Sequence, residues 1–210
     1  VQIYIDKDNV TGSGETDALE GVYAEIHEDW AWEIALSATG EPGAVKSVIS
    51  STGETSAKGL DASGSKDSNT IEIIASKNIV GSDIGKYKYI LILGSQDGFG
   101  TGKWRDVDAS SKSWRLGGGH DVADDGYNYD SNILDMVLPE GVNQQALLSS
   151  YSVDNREYAQ LTGFYIPSVE QQIYGISTGV ITGNTALVQW STTQAANSSV
   201  RYSANNSQTW

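Results

Sequence analysis

Cysteine is absent from this 210-residue chain. Thiolate catalysis, zinc held on cysteine and disulfide stapling are therefore excluded together. Histidine is nearly absent as well: His27 and His120 stand alone, and neither shares a motif with a serine nucleophile or a metal-ligand set. Positive charge is scarce, with 13 Lys plus Arg against 27 Asp plus Glu and a formal net charge of -14. Such a surface repels phosphate backbones and anionic headgroups, so nucleic acid is not an expected partner. No run approaches the roughly eighteen apolar residues of a membrane-spanning helix, and no membrane insertion is expected. A phosphate loop is missing too, because Gly117-Gly118-Gly119 runs into His120-Asp121 without the Lys-Ser/Thr ending. A glycosidase-like carboxylate pair carries no signal here, since 27 acidic residues guarantee one somewhere. The chain reads as a non-enzyme with no organic cofactor.

What is present is strand sequence. Gln2 to Ile5 and Val22 to Ile26 alternate, and Trp32 to Leu36 places its large apolar side chains on one face. Val45 to Ile49, Thr70 to Ile74 and Tyr87 to Leu93 continue the series, and strands resume from Glu157 to Ile166. The run Tyr89-Ile90-Leu91-Ile92-Leu93 is apolar on both faces, which predicts a central strand buried on both sides. Gly-, Ser-, Asp- and Thr-rich stretches such as Ser51 to Ser68 read as loops. Helix signals are confined to Asn143 to Leu148 and a single turn over Ser76 to Val80. This pattern predicts an all-β antiparallel sandwich with one or two short helices. The length allows one such domain with a sizeable core, plus part of a second. A boundary is expected after Pro167, giving domains 1–167 and 168–210.

Several ordered motifs make the picture more specific. Gly94-Ser95-Gln96-Asp97-Gly98-Phe99-Gly100 is followed by Lys103-Trp104-Arg105-Asp106-Val107 and Ser113-Trp114-Arg115-Leu116-Gly117. Then come Ile133 to Pro139 and Gln144 to Tyr151, with Tyr4-Ile5-Asp6, Gly12 to Thr16 and Trp32-Glu33 upstream. In this order they resemble the glucodextranase-type C-terminal domain over roughly residues 1 to 167. The resemblance implies a jelly-roll, carbohydrate-binding-module-like sandwich related to DOMON-type domains, and non-catalytic attachment through glycan binding or surface anchoring. The second segment resembles the first half of a fibronectin type III-like domain, with strands at Gly175 to Ile181, Thr185 to Trp190 and Ser199 to Tyr202. The chain opens on Val1 without a leader, on a strand that other family members precede with further strands. Both ends are thus expected to lie inside domains, as in a fragment, a processed chain or a subunit that exchanges strands between copies.

Two kinds of chemistry suit such a scaffold. Ca²⁺ takes six to eight hard oxygens, and Asp6, Asp8 and Asp17 flank a Gly-rich loop leaving a strand. Val10 sits where an oxygen ligand belongs, so an Asx-type turn is the competing reading. Asp121, Asp124, Asp125 and Asp130 form a second acidic cluster for a cation or for hydration alone. Glycan binding needs flat aromatic faces with polar neighbours. Trp104 with Arg105, Trp114 with Arg115, Tyr127 and Tyr129 fit that need, with Trp30 a further loop aromatic. Each Trp could instead anchor its loop, and Arg105 could simply pair with Asp97 or Asp106. Trp32 and Trp190 alternate with apolar strand residues and are expected in the core. Asn9, Asn197 and Asn205 head glycosylation-type triplets. The expected function is binding of polysaccharide or cell-wall glycan, outside the cell or at its surface. The alternative is a structural subunit of a filament, sheath or surface layer built from further copies of itself by strand exchange.

Overall fold

The computed structural model describes residues 1–39, 46–53, 55–56, 58–96, 102–117, 129–166, 173–181 and 186–192. In chain order the first strands are β1 (Gln2–Asp6), β2 (Glu25–Ile26), β3 (Ile34–Ala38), β4 (Lys46–Ser50), β5 (Thr55–Ser56), β6 (Leu60–Ser65), β7 (Thr70–Ala75) and β8 (Lys88–Leu93). They are followed by β9 (Asp106–Asp108), β10 (Arg115–Gly117), β11 (Asp135–Met136), β12 (Gln160–Leu161), β13 (Phe164–Tyr165), β14 (Ile173–Ile181) and β15 (Ala186–Thr192). Two short helices, α1 (Lys77–Val80) and α2 (Gln144–Leu148), lie between them. Ser76 caps α1 by accepting from Asn78 N, and Asn143 caps α2 by accepting from Ala146 N at 3.0 Å. No helix among the described residues is long and apolar enough to cross a membrane.

The main sheet runs β11-β8-β1-β3-β4-β5, with β13 also on β8, and every pairing in it is antiparallel. Strand alternation then sorts the side chains. Tyr4, Ala35, Ile90, Ile92 and Met136 point to one face, where they pack with Trp32, Ile26 and Leu161. Ile5, Leu36, Val48 and Tyr89 point to the other, under Leu60 from the β6–β7 hairpin, Val80 from α1 and Tyr87. A sheet buried on both faces explains why β8 is apolar from Tyr89 to Leu93. Ile26, Ile90, Ile92 and Leu161 are almost wholly buried, each worth about 1.5–3 kcal/mol of hydrophobic transfer. The result is the expected all-β antiparallel sandwich.

Four local expectations need correction. Trp32 and Leu36 do not share a face: β3 begins only at Ile34, and Trp32 packs in the first core while Leu36 packs in the second. Ser51 to Ser68 is not one loop, because it contains β5 and β6. Leu60-Asp61-Ala62-Ser63-Gly64-Ser65 has little strand character of its own, and six register pairs with β7 hold it extended. Val22 to Ile26 contributes only the two-residue β2, paired parallel to β12. Glu157 to Ile166 breaks into β12 and β13 around Gly163, where a Cβ would stand 1.8 Å from the Tyr89 carbonyl oxygen.

The chain divides into two compact units, Val1–Ile166 and Pro167–Trp210. In the second, β14 and β15 pair antiparallel with register shifts at Tyr174/Ser177 and Thr178/Ile181. The strand expected at Ser199 to Tyr202 and the Trp190 side chain lie outside the described residues.

Candidate functional site

Strands β9 and β10 pair in parallel, Asp106 with Arg115 and Asp108 with Gly117. Their connection closes on itself: Lys112 N donates to Arg115 O at 3.1 Å, and Arg115 N donates back to Lys112 O at 3.3 Å. Ser113 and Trp114 form the corner of that turn. Trp114 is 62% exposed. Charge fixes the base of the turn, where Asp108 is buried beside the Lys112 ammonium and Arg115 Nη1. Arg115 Nε also lies 3.5 Å from Asp106 Oδ2. Two cations on one buried carboxylate fix the base of the turn that carries Trp114. Gly117 is needed close by, because a Cβ there would come within 2.8 Å of Ser111 N.

The other sequence candidates separate into different environments. Trp104 is half-buried against the first core, and its ring fills the space above Gly94, where a Cβ would sit 2.0 Å from Trp104 Cε3. Arg105 is half-buried; its backbone N donates to Ser95 O at 2.6 Å, and its Nε is buried without a hydrogen-bond partner. Asp106 pairs with Arg115, while Asp97 lies outside the described residues. Tyr129 is only 4% exposed, with its ring 5.0 Å from that of Tyr158, so no open face remains for a sugar. Tyr127 lies outside the described residues. Trp32 is buried as expected and donates from Nε1 to Asp17 O at 3.0 Å. Trp30 is half-buried against Tyr165, a strongly exposed ring 5.6 Å away.

The acidic residues divide in the same way. Carboxylate oxygens of Asp6, Asp8 and Glu33 lie within 4.8 Å of one another. Asp6 is buried at the end of β1, with Lys88 Nζ 2.9 Å from Oδ2 at ion-pair distance but outside hydrogen-bond angles. Its Oδ1 accepts from Asn9 N at 2.7 Å, Asp8 accepts from Val10 N and Ser13 Oγ, and Asn9 takes the left-handed φ of 58°. Those bonds build the Asx-type turn. Glu33 Oε2 accepts from Lys7 N at 2.6 Å. Burial, helped by Asp8 and Asp6, pushes the Glu33 carboxyl above its ordinary range. Three carboxylates and one ammonium leave surplus negative charge, yet three residues supply only part of a calcium shell. The sequence did not mark Glu33 as a candidate ligand, since only the β1–β3 register, with Glu33 N bonded to Ile5 O, brings it beside Asp6. Asp17 is exposed and outside this group. Asp130 is buried near Tyr151, and Asp121, Asp124 and Asp125 lie outside the described residues.

The described residues thus combine an antiparallel sandwich with an exposed tryptophan on a charge-clamped turn. The family model for the C-terminal, SLH-like binding module of glucodextranase matches residues 1–163. The chain belongs to that family. The match ends before β14 and so covers none of the second unit. Among curated proteins, none matches this chain.

Proposed function

We propose that this chain is a non-catalytic carbohydrate-binding module that works outside the cell, holding its bearer to polysaccharide at a surface. The observation that carries the reading is Trp114, exposed at the corner of a turn whose base is fixed by Asp106, Asp108, Lys112 and Arg115. A pyranose ring has one face of C–H groups, and stacking that face on a rigid indole removes apolar surface from water. An indole has few rotatable bonds to fix on binding, so a single ring contributes usefully. Membership of a family described as a binding module of glucodextranase supports the same reading.

The test is affinity electrophoresis through gels containing soluble polysaccharide, comparing the 210-residue chain with Trp114→Ala. Retardation of the parent chain and its loss in the variant, at unchanged melting temperature, is the expected result. Equal retardation of both would contradict the assignment of Trp114. A parent chain that ignores every glycan while sedimenting as a polymer would replace this reading with the structural-subunit one.

A further inference from the structure

We infer that the cleft between β9 and α2 is a subsite for one or two units of a neutral pyranoside chain. This inference rests on the carbohydrate-binding reading above and names where, beyond Trp114, the sugar is held and which sugars are refused. The cleft has a volume of about 400 Å³. That lies at the small end of the roughly 300–1,000 Å³ typical of small-molecule sites, which is room for a sugar ring and part of its neighbour.

Its floor is apolar: Val107 from β9 and Ile133 are buried, and Leu148 from α2 packs on the first core. Its polar groups are Asp130, Gln145 and Tyr151. Asp130 is a buried carboxylate that can only accept. Tyr151 is half-buried, and burial followed by the nearby Asp130 charge raises its phenol above the ordinary value, so it keeps its proton and can donate. Gln145 serves its helix through its backbone carbonyl, which accepts from Ser149 N and Ser149 Oγ. The exposed side-chain amide of Gln145 is not used by those bonds and brings both a donor and an acceptor. A sugar hydroxyl donates and accepts at once, and its ring carries an apolar face. An apolar floor under an acceptor, a donor and an amide matches that chemistry.

Charge narrows the ligand. None of the described residues lining the cleft is basic. A uronate or phosphorylated sugar is normally held by Arg or Lys, and the described lining supplies neither. The two basic side chains of the neighbouring turn, Lys112 and Arg115, are already paired with Asp108 and Asp106. Gly117, on the rim, follows Trp114 by three strand residues, a separation of about 10 Å at roughly 3.3 Å per residue.

The experiment titrates the 210-residue chain with dextran, soluble starch, laminarin and polygalacturonate at low and moderate salt, alongside Gln145→Ala, Tyr151→Phe and Trp114→Ala. Binding to at least one neutral polymer with little salt dependence, and none to polygalacturonate, is expected. Gln145→Ala and Tyr151→Phe should each weaken neutral binding roughly five- to tenfold, the worth of one or two hydrogen bonds, at unchanged melting temperature. Gln145 is exposed on α2, so that variant keeps its fold. Full affinity in both cleft variants, with loss in Trp114→Ala, would overturn the subsite and leave the carbohydrate-binding reading standing. Tighter binding to polygalacturonate than to the neutral polymers would overturn the neutral-ligand claim. A parent chain that binds none of the four would overturn both.

Discussion

Lys88→Met removes the positive partner from a buried group of contacts and leaves the negative one in place. In the intact protein the Lys88 side chain is 9% exposed and that of Asp6 2% exposed, with 2.9 Å between Nζ and Oδ2. The same ammonium donates to the Asp29 carbonyl oxygen and lies 5.6 Å from the centre of the Trp30 ring. Methionine preserves most of the apolar stem but strands the Asp6 carboxylate away from water. An uncompensated buried charge costs about 3–5 kcal/mol, far more than the 0–1 kcal/mol of an exposed pair. At about 2–4 °C per kcal/mol for a protein of this size, the melting temperature should fall by roughly 6–20 °C. Chemical denaturation of the parent, Lys88→Met, Asp6→Asn and the double variant measures both the cost and the coupling. The double variant should be more stable than the sum of the single losses, because no charge is left unpaired. A Lys88→Met cost below about 1 kcal/mol, or strict additivity in the double variant, would refute the claim that this pair is desolvated.

Other outcomes follow from the same geometry. Tyr4→Phe deletes a hydroxyl that donates to the buried Gln2 Oε1 and accepts from Leu19 N, so denaturation should show a loss of about 2 kcal/mol. Gly94→Ala should lower the melting temperature and shift the emission of Trp104, since the new Cβ meets that ring. Glu33 has a folded pKa raised above its unfolded value. Its stabilising contribution is complete below the ordinary glutamate range and is lost as pH rises through the raised value. Glu33→Gln should therefore be more stable than the parent at neutral pH and gain nothing in acid, as melts across that window would reveal. Calcium is tested in the same melts: surplus charge at Asp6, Asp8 and Glu33 predicts a rise with millimolar Ca²⁺ that Glu33→Gln removes. An unchanged melt would leave the Asp6–Asn9 turn to hydrogen bonding alone.

Much of the scaffold was legible because strand periodicity and apolar burial agree. β1, β8, α1 and α2 lie where alternation, a two-sided apolar run and the two short helix signals put them. β6 was not legible: Asp61, Ser63, Gly64 and Ser65 carry loop composition, and only cross-strand pairing with β7 makes them a strand. The candidate site shows the same limit more sharply. Trp104-Arg105 and Trp114-Arg115 are identical dipeptides, yet one ring covers Gly94 and the other is 62% exposed. Local sequence cannot separate them, because the difference comes from a glycine ten residues away and from paired aspartates on a neighbouring strand. Tyr129 sits in a polar, acidic run that reads as loop, and its burial depends on Tyr158, far along the chain. Glu33 joins Asp6 and Asp8 only once β1 and β3 are in register.

The most direct test of carbohydrate binding is the indole region of a ¹H–¹⁵N NMR spectrum during titration with a neutral oligosaccharide. Six tryptophans give a small and assignable set of signals. The Trp114 Nε1–H should move with saturable dependence on sugar, accompanied by amides near Gly117 and Gln145, while the buried Trp32 signal stays still. A titration that leaves Trp114 unmoved, or that shifts only Trp30 beside Tyr165, would contradict the account.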